Sequence, residues 1–331
     1  MDRGVFSSPE ASLNGTRPAQ QGSGGANPGA GGTLMSTIHT TDITLGNRAS
    51  AYVALTKPDV SFLVVLTTAA GYYMGERGPI GWLHMIHTVF GTTLIAAGTA
   101  ALNHWIERDS DAHMRRTASR PLPSGQLEPA RALWFGVTLA VAGALDLWYT
   151  AGLLAAGLGA ATCLGYLLGY TPLKKRTVWA TFVGAFPGAI PPMIGWVAAA
   201  GRLERGAWLL FTILFLWQFP HFYAISWMYR EDYARAGIQM LPVVDRSGTR
   251  TFRQILLAAS ALVAVSLLPA VVGLAGVRYF FGALVISTAL VQVCLWAAAA
   301  KSNTRAKWLM HATVLHIPLL LGLMVYDKLP R

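Results

Sequence analysis

The chain has 331 residues, of which 53% are hydrophobic and only 12% charged, with a mean hydropathy of +0.44. Soluble domains carry about 25% charged residues, so this composition excludes an ordinary soluble domain and makes lipid the solvent. The formal charge of +11 would fit nucleic acid, but in a membrane chain excess Lys/Arg marks cytoplasmic loops beside anionic lipid, and nucleic acid is set aside as a partner.

Residues 1–47 are rich in Gly, Ala, Ser, Pro, Asn and Gln without apolar periodicity, which predicts a disordered N-terminal extension ahead of a polytopic membrane domain over 48–331. The extension lacks the apolar core of a secretory signal and is read as a bacterial cytoplasmic tail in preference to an organelle-targeting segment. Nine runs long enough to cross a bilayer follow, near 50–75, 82–104, 129–148, 151–170, 178–199, 206–228, 254–275, 277–299 and 307–326. Pro187, Pro191, Pro192, Pro269 and Pro318 fall inside them and predict kinks, which open cavities in a bundle. The expected fold is an all-α membrane protein, nine transmembrane helices around a central cavity in two similar four-helix halves. Cys163 and Cys294 lie in apolar runs and read as small core residues.

Alternate connectors hold fifteen Lys/Arg on one side and six on the other, which puts the richer side and the N-terminus in the cytoplasm. At the cytoplasmic end of the second run stands a charged island, Asn103 to Gly125. Asn103, Glu107 and Asp111 recur every four residues, so a helix turns each only about 40° from the last and one face carries all three oxygen-bearing side chains. Such a face suits a hard divalent cation, Mg²⁺ above all. Arg115, Arg116 and Arg120 follow, and guanidinium groups match phosphate oxygens. A metal site beside arginines points to a diphosphate; a solvated cytoplasmic loop is the alternative reading of the same residues.

Two further clusters share that side. Tyr170-Thr-Pro-Leu-Lys174 turns between the fourth and fifth runs, and its Tyr170 and Lys174 are candidate diphosphate partners. The sixth run ends in Trp217-Gln-Phe-Pro-His221 and then Tyr229-Arg230-Glu231-Asp232-Tyr233, a second acidic motif four helices after the first. His221 lies about two turns inside the membrane from Arg230, where an ionisable group is a functional candidate; a neutral histidine hydrogen-bonded between helices is the other reading. His84, His87, His311 and His316 carry weaker signals.

Taken together, Thr56-Lys57-Pro58, the Asn103/Glu107/Asp111 repeat with Arg116-Thr-x-x-Arg120-Pro-Leu-Pro-Ser-Gly, Tyr170-Thr-Pro-Leu-Lys174, Gly184–Trp196, and Trp217–Phe222 with Tyr229–Gly237 resemble the intramembrane aromatic prenyltransferase (UbiA-type) superfamily. The likeness covers residue 50 to the end. His221, where an acidic residue is common elsewhere, and Glu107 in the middle of the first motif give it the look of the haem-modifying branch. That resemblance implies a Mg²⁺-dependent transferase moving a farnesyl group from farnesyl diphosphate to the 2-vinyl group of haem B, with water added, to make haem O. It further implies metal ligands Asn103, Glu107, Asp111, Glu231 and Asp232; diphosphate binding by Arg116, Arg120, Lys174, Tyr170 and Arg230; catalytic roles for His221, Arg116, Arg120 and Lys174; and His221 against the haem. The implied setting is a bacterial inner membrane, with the active site facing the cytoplasm and haem A synthase and cytochrome oxidase assembly downstream. The rival readings are a relative prenylating another aromatic or chlorin acceptor, and a transporter.

Overall fold

The computed structural model describes residues 45–330, so the expected N-terminal extension lies outside the described residues except for its last three, which already belong to a helix. The described chain is helical with no strand, only an isolated bridge pairing Ala275 with Lys328. Helix α1 (Leu45–Leu55) and α2 (Pro58–Gly75) form one bent pair, breaking by 48° at Thr56-Lys57. Pro58 disfavours helical backbone at the residue before it, and Lys57 takes a left-handed φ of 48° instead.

Helix α3 (Trp82–Ala112) runs 31 residues, carrying the charged island's first three polar residues on helix as its four-residue spacing requires. The run after it is continuous from Pro129 to Leu173, 45 residues, comprising α4 (Pro129–Leu164), a π-helical turn (Gly165–Tyr170) and α5 (Thr171–Leu173). A straight helix of that length would be about 68 Å, more than twice a bilayer's apolar thickness of about 30 Å. It doubles back at Gly152, whose φ of 87° and ψ of 172° only glycine takes easily. The fold-back shows in packing: Ile95 lies against Gly159, and a Cβ there would also stand 3.3 Å from Leu147 Cδ1.

The remaining elements are α6 (Ala180–Ala189), α7 (Pro191–Ala200), α8 (Arg205–Met228), the short α9 (Arg230–Arg235) and α10 (Leu241–Val244), then α11 (Thr249–Val271), α12 (Val277–Ala300) and α13 (Asn303–Tyr326). Among the described residues seven helical runs are long and apolar enough to cross a membrane, or eight with the α1–α2 pair. One of the seven, Pro129–Leu173, bends back at Gly152 and contains both segments that the sequence divides at 148–151.

Apolar burial cannot hold helices together in lipid, so close backbone approach does. A Cβ on Gly71 would stand 2.1 Å from the Pro192 carbonyl oxygen and one on Gly195 2.0 Å from that of Thr68, which locks α2 to α7. A Cβ on Gly98 would stand 2.6 Å from the Gly136 carbonyl oxygen and one on Gly143 2.4 Å from that of Gly91, which locks α3 to α4. A larger core centred on Trp196, Trp217, Tyr279 and Leu262 joins α7, α8, α11, α12 and α13. The polar ends of α3 and α8 are thereby held on a rigid frame.

Candidate active site

Three segments meet at one end of the bundle. Met114, Tyr170, Ala180, Ile238 and Met240 form a small buried core there with Tyr166, Leu173 and Tyr233 against it, and the Gln239 amide donates to the Lys174 carbonyl at 2.7 Å. The loop after α3, the turn around α5 and the loop after α9 are thus one packed unit. Arg116 belongs to it too, its guanidinium 4.7 Å from the Tyr229 ring centre and donating to the Tyr233 hydroxyl at 3.4 Å. The three sequence clusters therefore come together, as their shared side predicts.

On α3, every expected ligand is already engaged by a cation or a hydroxyl. Asn103, 1% exposed, accepts from Lys57 Nζ at 3.1 Å and donates to Thr171 Oγ1 at 3.3 Å. Glu107 pairs with Lys174 at 2.8 Å, both side chains largely enclosed, and Lys174 also faces the Tyr170 ring at 4.4 Å. Asp111, 1% exposed, accepts from Arg120 through Oδ2 at 2.7 Å, and its other oxygen is buried with no partner among the described residues. Tyr170 is fixed by Gly184, whose missing side chain leaves room for the ring.

The second acidic motif is arranged differently. Asp232 is ion-paired with Arg235, Glu231 is exposed, and Arg230 donates to the Trp227 carbonyl at 2.7 Å and to Asn303 Oδ1 at 2.6 Å. Among the described residues no three His, Cys, Asp or Glu side chains gather as a metal cluster, so the five expected ligands are not assembled into one. The α3 donors nonetheless fit a hard divalent cation: they are oxygens, they share a helix face, and Asp111 keeps one buried oxygen unbonded.

His221 sits in α8 away from these ion pairs, half-buried, stacked on Trp217 at 4.8 Å, with Nδ1 2.8 Å from Thr313 Oγ1. The Thr313 hydroxyl also lies 2.6 Å from the Met310 carbonyl; where it donates there, His221 donates from Nδ1 and Nε2 keeps its lone pair. The four weaker candidates have local partners: His84 bonds Tyr72, His87 bonds Asp146, His311 bonds the Lys307 carbonyl and His316 bonds Ser287.

Sequence reasoning missed Lys57, Thr171 and the Tyr229/Tyr233 pair that holds Arg116. For Lys57 a signal existed in the Lys-Pro dipeptide, a break in an otherwise apolar run; for the tyrosines the sequence offers none.

A site of clustered Lys, Arg and carboxylates at one end of an apolar helical bundle is that of a membrane enzyme handling a polar anion with an apolar tail. The chain belongs to the UbiA prenyltransferase family, whose pattern matches residues 64–317. It is 51% identical over 286 residues to the protoheme IX farnesyltransferase of Solibacter usitatus (strain Ellin6076), covering 84% of this chain and 98% of that protein. It is 41% identical over 288 residues to the protoheme IX farnesyltransferase of Koribacter versatilis (strain Ellin345), covering 84% and 93%. In fold it resembles a digeranylgeranylglyceryl phosphate synthase, with a TM-score of 0.70 at 16% identity over 85% of this chain and 98% of the other. A UbiA homolog from Archaeoglobus fulgidus bound to DMAPP and Mg²⁺ shares the fold at a TM-score of 0.56 and 14% identity, over 82% and 98%.

Proposed function

We propose that this multi-pass membrane protein transfers the farnesyl group of farnesyl diphosphate to the 2-vinyl group of haem B, adding water, to give haem O and diphosphate. The observation that carries the reading is the pairing of an enclosed Lys/Arg/carboxylate end with a separate histidine held against Trp217 and Thr313, together with the two haem farnesyltransferase relatives. Another aromatic or chlorin acceptor is not favoured by those relatives.

Lys57, Arg116, Arg120 and Lys174 grip the diphosphate, with Tyr170 and Arg230 at its margin; the cations stabilise charge that grows on the leaving oxygen as the allylic C1–O bond breaks. Asn103, Glu107 and Asp111 would hold Mg²⁺, with Asp232 the more enclosed carboxylate of the second motif and Glu231 beside it. Bound there, Mg²⁺ neutralises diphosphate charge. The leaving diphosphate takes the bonding electron pair. The vinyl π electrons form the new carbon–carbon bond to C1, water adds to the cation left beside the pyrrole, and its proton departs. C1 must be kept from water until then, since early hydration would give farnesol. His221, through Nε2, either accepts the water's proton or meets the haem iron. The basic cytoplasmic side receives the propionates, in a bacterial inner membrane, and a haem A synthase is the expected next handler of the product.

Membranes containing the chain, given haem B and farnesyl diphosphate, should yield a haem heavier by one farnesyl group and one water. Prenylation of a chlorin or an aromatic acid in place of haem would overturn the assignment.

A further inference from the structure

One buried polar side chain at this end has no place in the account so far. His104 is 3% exposed, and neither ring nitrogen has a hydrogen-bond partner among the described residues. Leaving an imidazole so placed costs free energy of the kind native interiors avoid. Its surroundings are the site itself: Asn103, which accepts from Lys57 at 3.1 Å, is its chain neighbour, and Asp111, paired with Arg120, stands two turns further along the same helix. An unpartnered ring N–H in that place can donate to an anion held between those cations.

Helix geometry says where along the site that donor lies. His104 and Asp111 are seven residues apart, so they differ by only about 20° around α3 and by about 10 Å along it, with His104 deeper. Asp111 and Arg120 mark the outer end; His104 lies at the depth of Asn103 and Lys57, which bond each other. A diphosphate between these levels, its apolar tail directed into the apolar body of the bundle, turns its carbon-bearing phosphate inward.

We propose that His104 is a substrate-binding residue, its imidazole N–H donating to an oxygen of the inner phosphate of the prenyl diphosphate, beside the bond that breaks. This deepens the farnesyl-transfer reading and rests on its diphosphate donor, not on its haem acceptor. The donation strengthens as negative charge moves onto the leaving group.

The test uses the purified full-length chain in lipid nanodiscs with Mg²⁺, and inorganic diphosphate as the probe, comparing wild type with His104→Leu and His104→Gln. Diphosphate binding follows from the ligand-dependent rise in melting temperature. A hydrogen bond to a charged group corresponds to a loss of about 10-fold or more in diphosphate affinity for His104→Leu. The ligand-free His104→Leu chain should melt no lower than wild type, since an apolar group replaces an unpaired polar one, and His104→Gln should recover part of the affinity through its amide. Diphosphate affinity unchanged in His104→Leu overturns the proposal. So does a ligand-free melting temperature that falls in His104→Leu with no recovery of affinity in His104→Gln, which is the mark of a packing role. If His104→Leu does not fold, His104→Gln against His104→Met carries the same comparison. Wild type that binds diphosphate through His104 but leaves haem B unaltered would sink the haem assignment alone; haem farnesylation with diphosphate affinity indifferent to His104 would sink this inference alone.

Discussion

Replacing Lys174 by Met tests whether the Lys174–Glu107 pair serves function or only stability. The two charges stand 2.8 Å apart with side chains 11% and 14% exposed. At an effective dielectric of about 20 their gross attraction is about 6 kcal/mol, most of it spent on taking both charges out of water. Removing one partner leaves Glu107 charged, enclosed and unpaired, which costs about 3–5 kcal/mol. Lys174→Met should therefore melt well below wild type in detergent and lose farnesyl transfer. Adding Glu107→Leu removes the stranded charge, and replacement of a buried pair by apolar groups is about neutral, so the double variant should regain most of the wild-type melting temperature. It should still be inactive, because the cation that grips diphosphate and a carboxylate proposed to hold Mg²⁺ are both gone. Thermal unfolding followed by tryptophan fluorescence, with haem product measured by mass, reads both quantities. An active double variant would refute the functional role, and a Lys174→Met chain as stable as wild type would refute the enclosed pair.

Two other substitutions separate chemistry from scaffolding. His221→Ala should abolish formation of a farnesylated haem while leaving diphosphate affinity within about twofold, an order-of-magnitude allowance for a residue outside the ion-pair cluster; normal turnover would remove His221 from the mechanism. Asp245 caps the start of α11, accepting the Thr251 amide at 2.8 Å and the Thr251 hydroxyl at 3.0 Å. Partial burial works against its charge, but these bonds and the Ser247 hydroxyl hold the carboxyl below its ordinary value of 3.8. A lowered pKa gives stability that is complete above the unfolded value and disappears as pH falls through the folded one. Asp245→Asn keeps one acceptor oxygen but loses the charge, so it should melt lower than wild type at pH 7 by less than the ~1 kcal/mol typical of a fully lost cap, and the gap should narrow as pH falls below about 4. A gap independent of pH would show that the charge contributes nothing.

Much of this was legible because the helix period is rigid. Spacing alone places Asn103, Glu107 and Asp111 on one face, and the Lys/Arg asymmetry gathers three clusters on one side. What spacing cannot give is which charge neutralises which. Lys174 reads from sequence as a diphosphate partner, but that it also pairs with Glu107 and lies against Tyr166 and Tyr170 shows only in the fold. Arg120 and Asp111, read separately as diphosphate and metal ligands, turn out to hold each other. Lys57 reaches Asn103 only because the chain breaks at the residue before Pro58, and the two are 46 residues apart. The division of 129–170 into two segments is legible from the polar dip at 148–151, whereas the reversal itself depends on one glycine's backbone angles. His104 sits about 100° around the helix from Asn103, off the repeat's first position, so the four-residue pattern passes over it.

The most direct measurement of the central claim uses the purified protein with haem B, Mg²⁺ and farnesyl diphosphate deuterated at C1, in H₂¹⁸O. The account predicts a haem product carrying the labelled farnesyl group and one ¹⁸O, formed in step with free diphosphate. Diphosphate release with labelled farnesol and unaltered haem B, or a farnesylated haem without ¹⁸O, would contradict it.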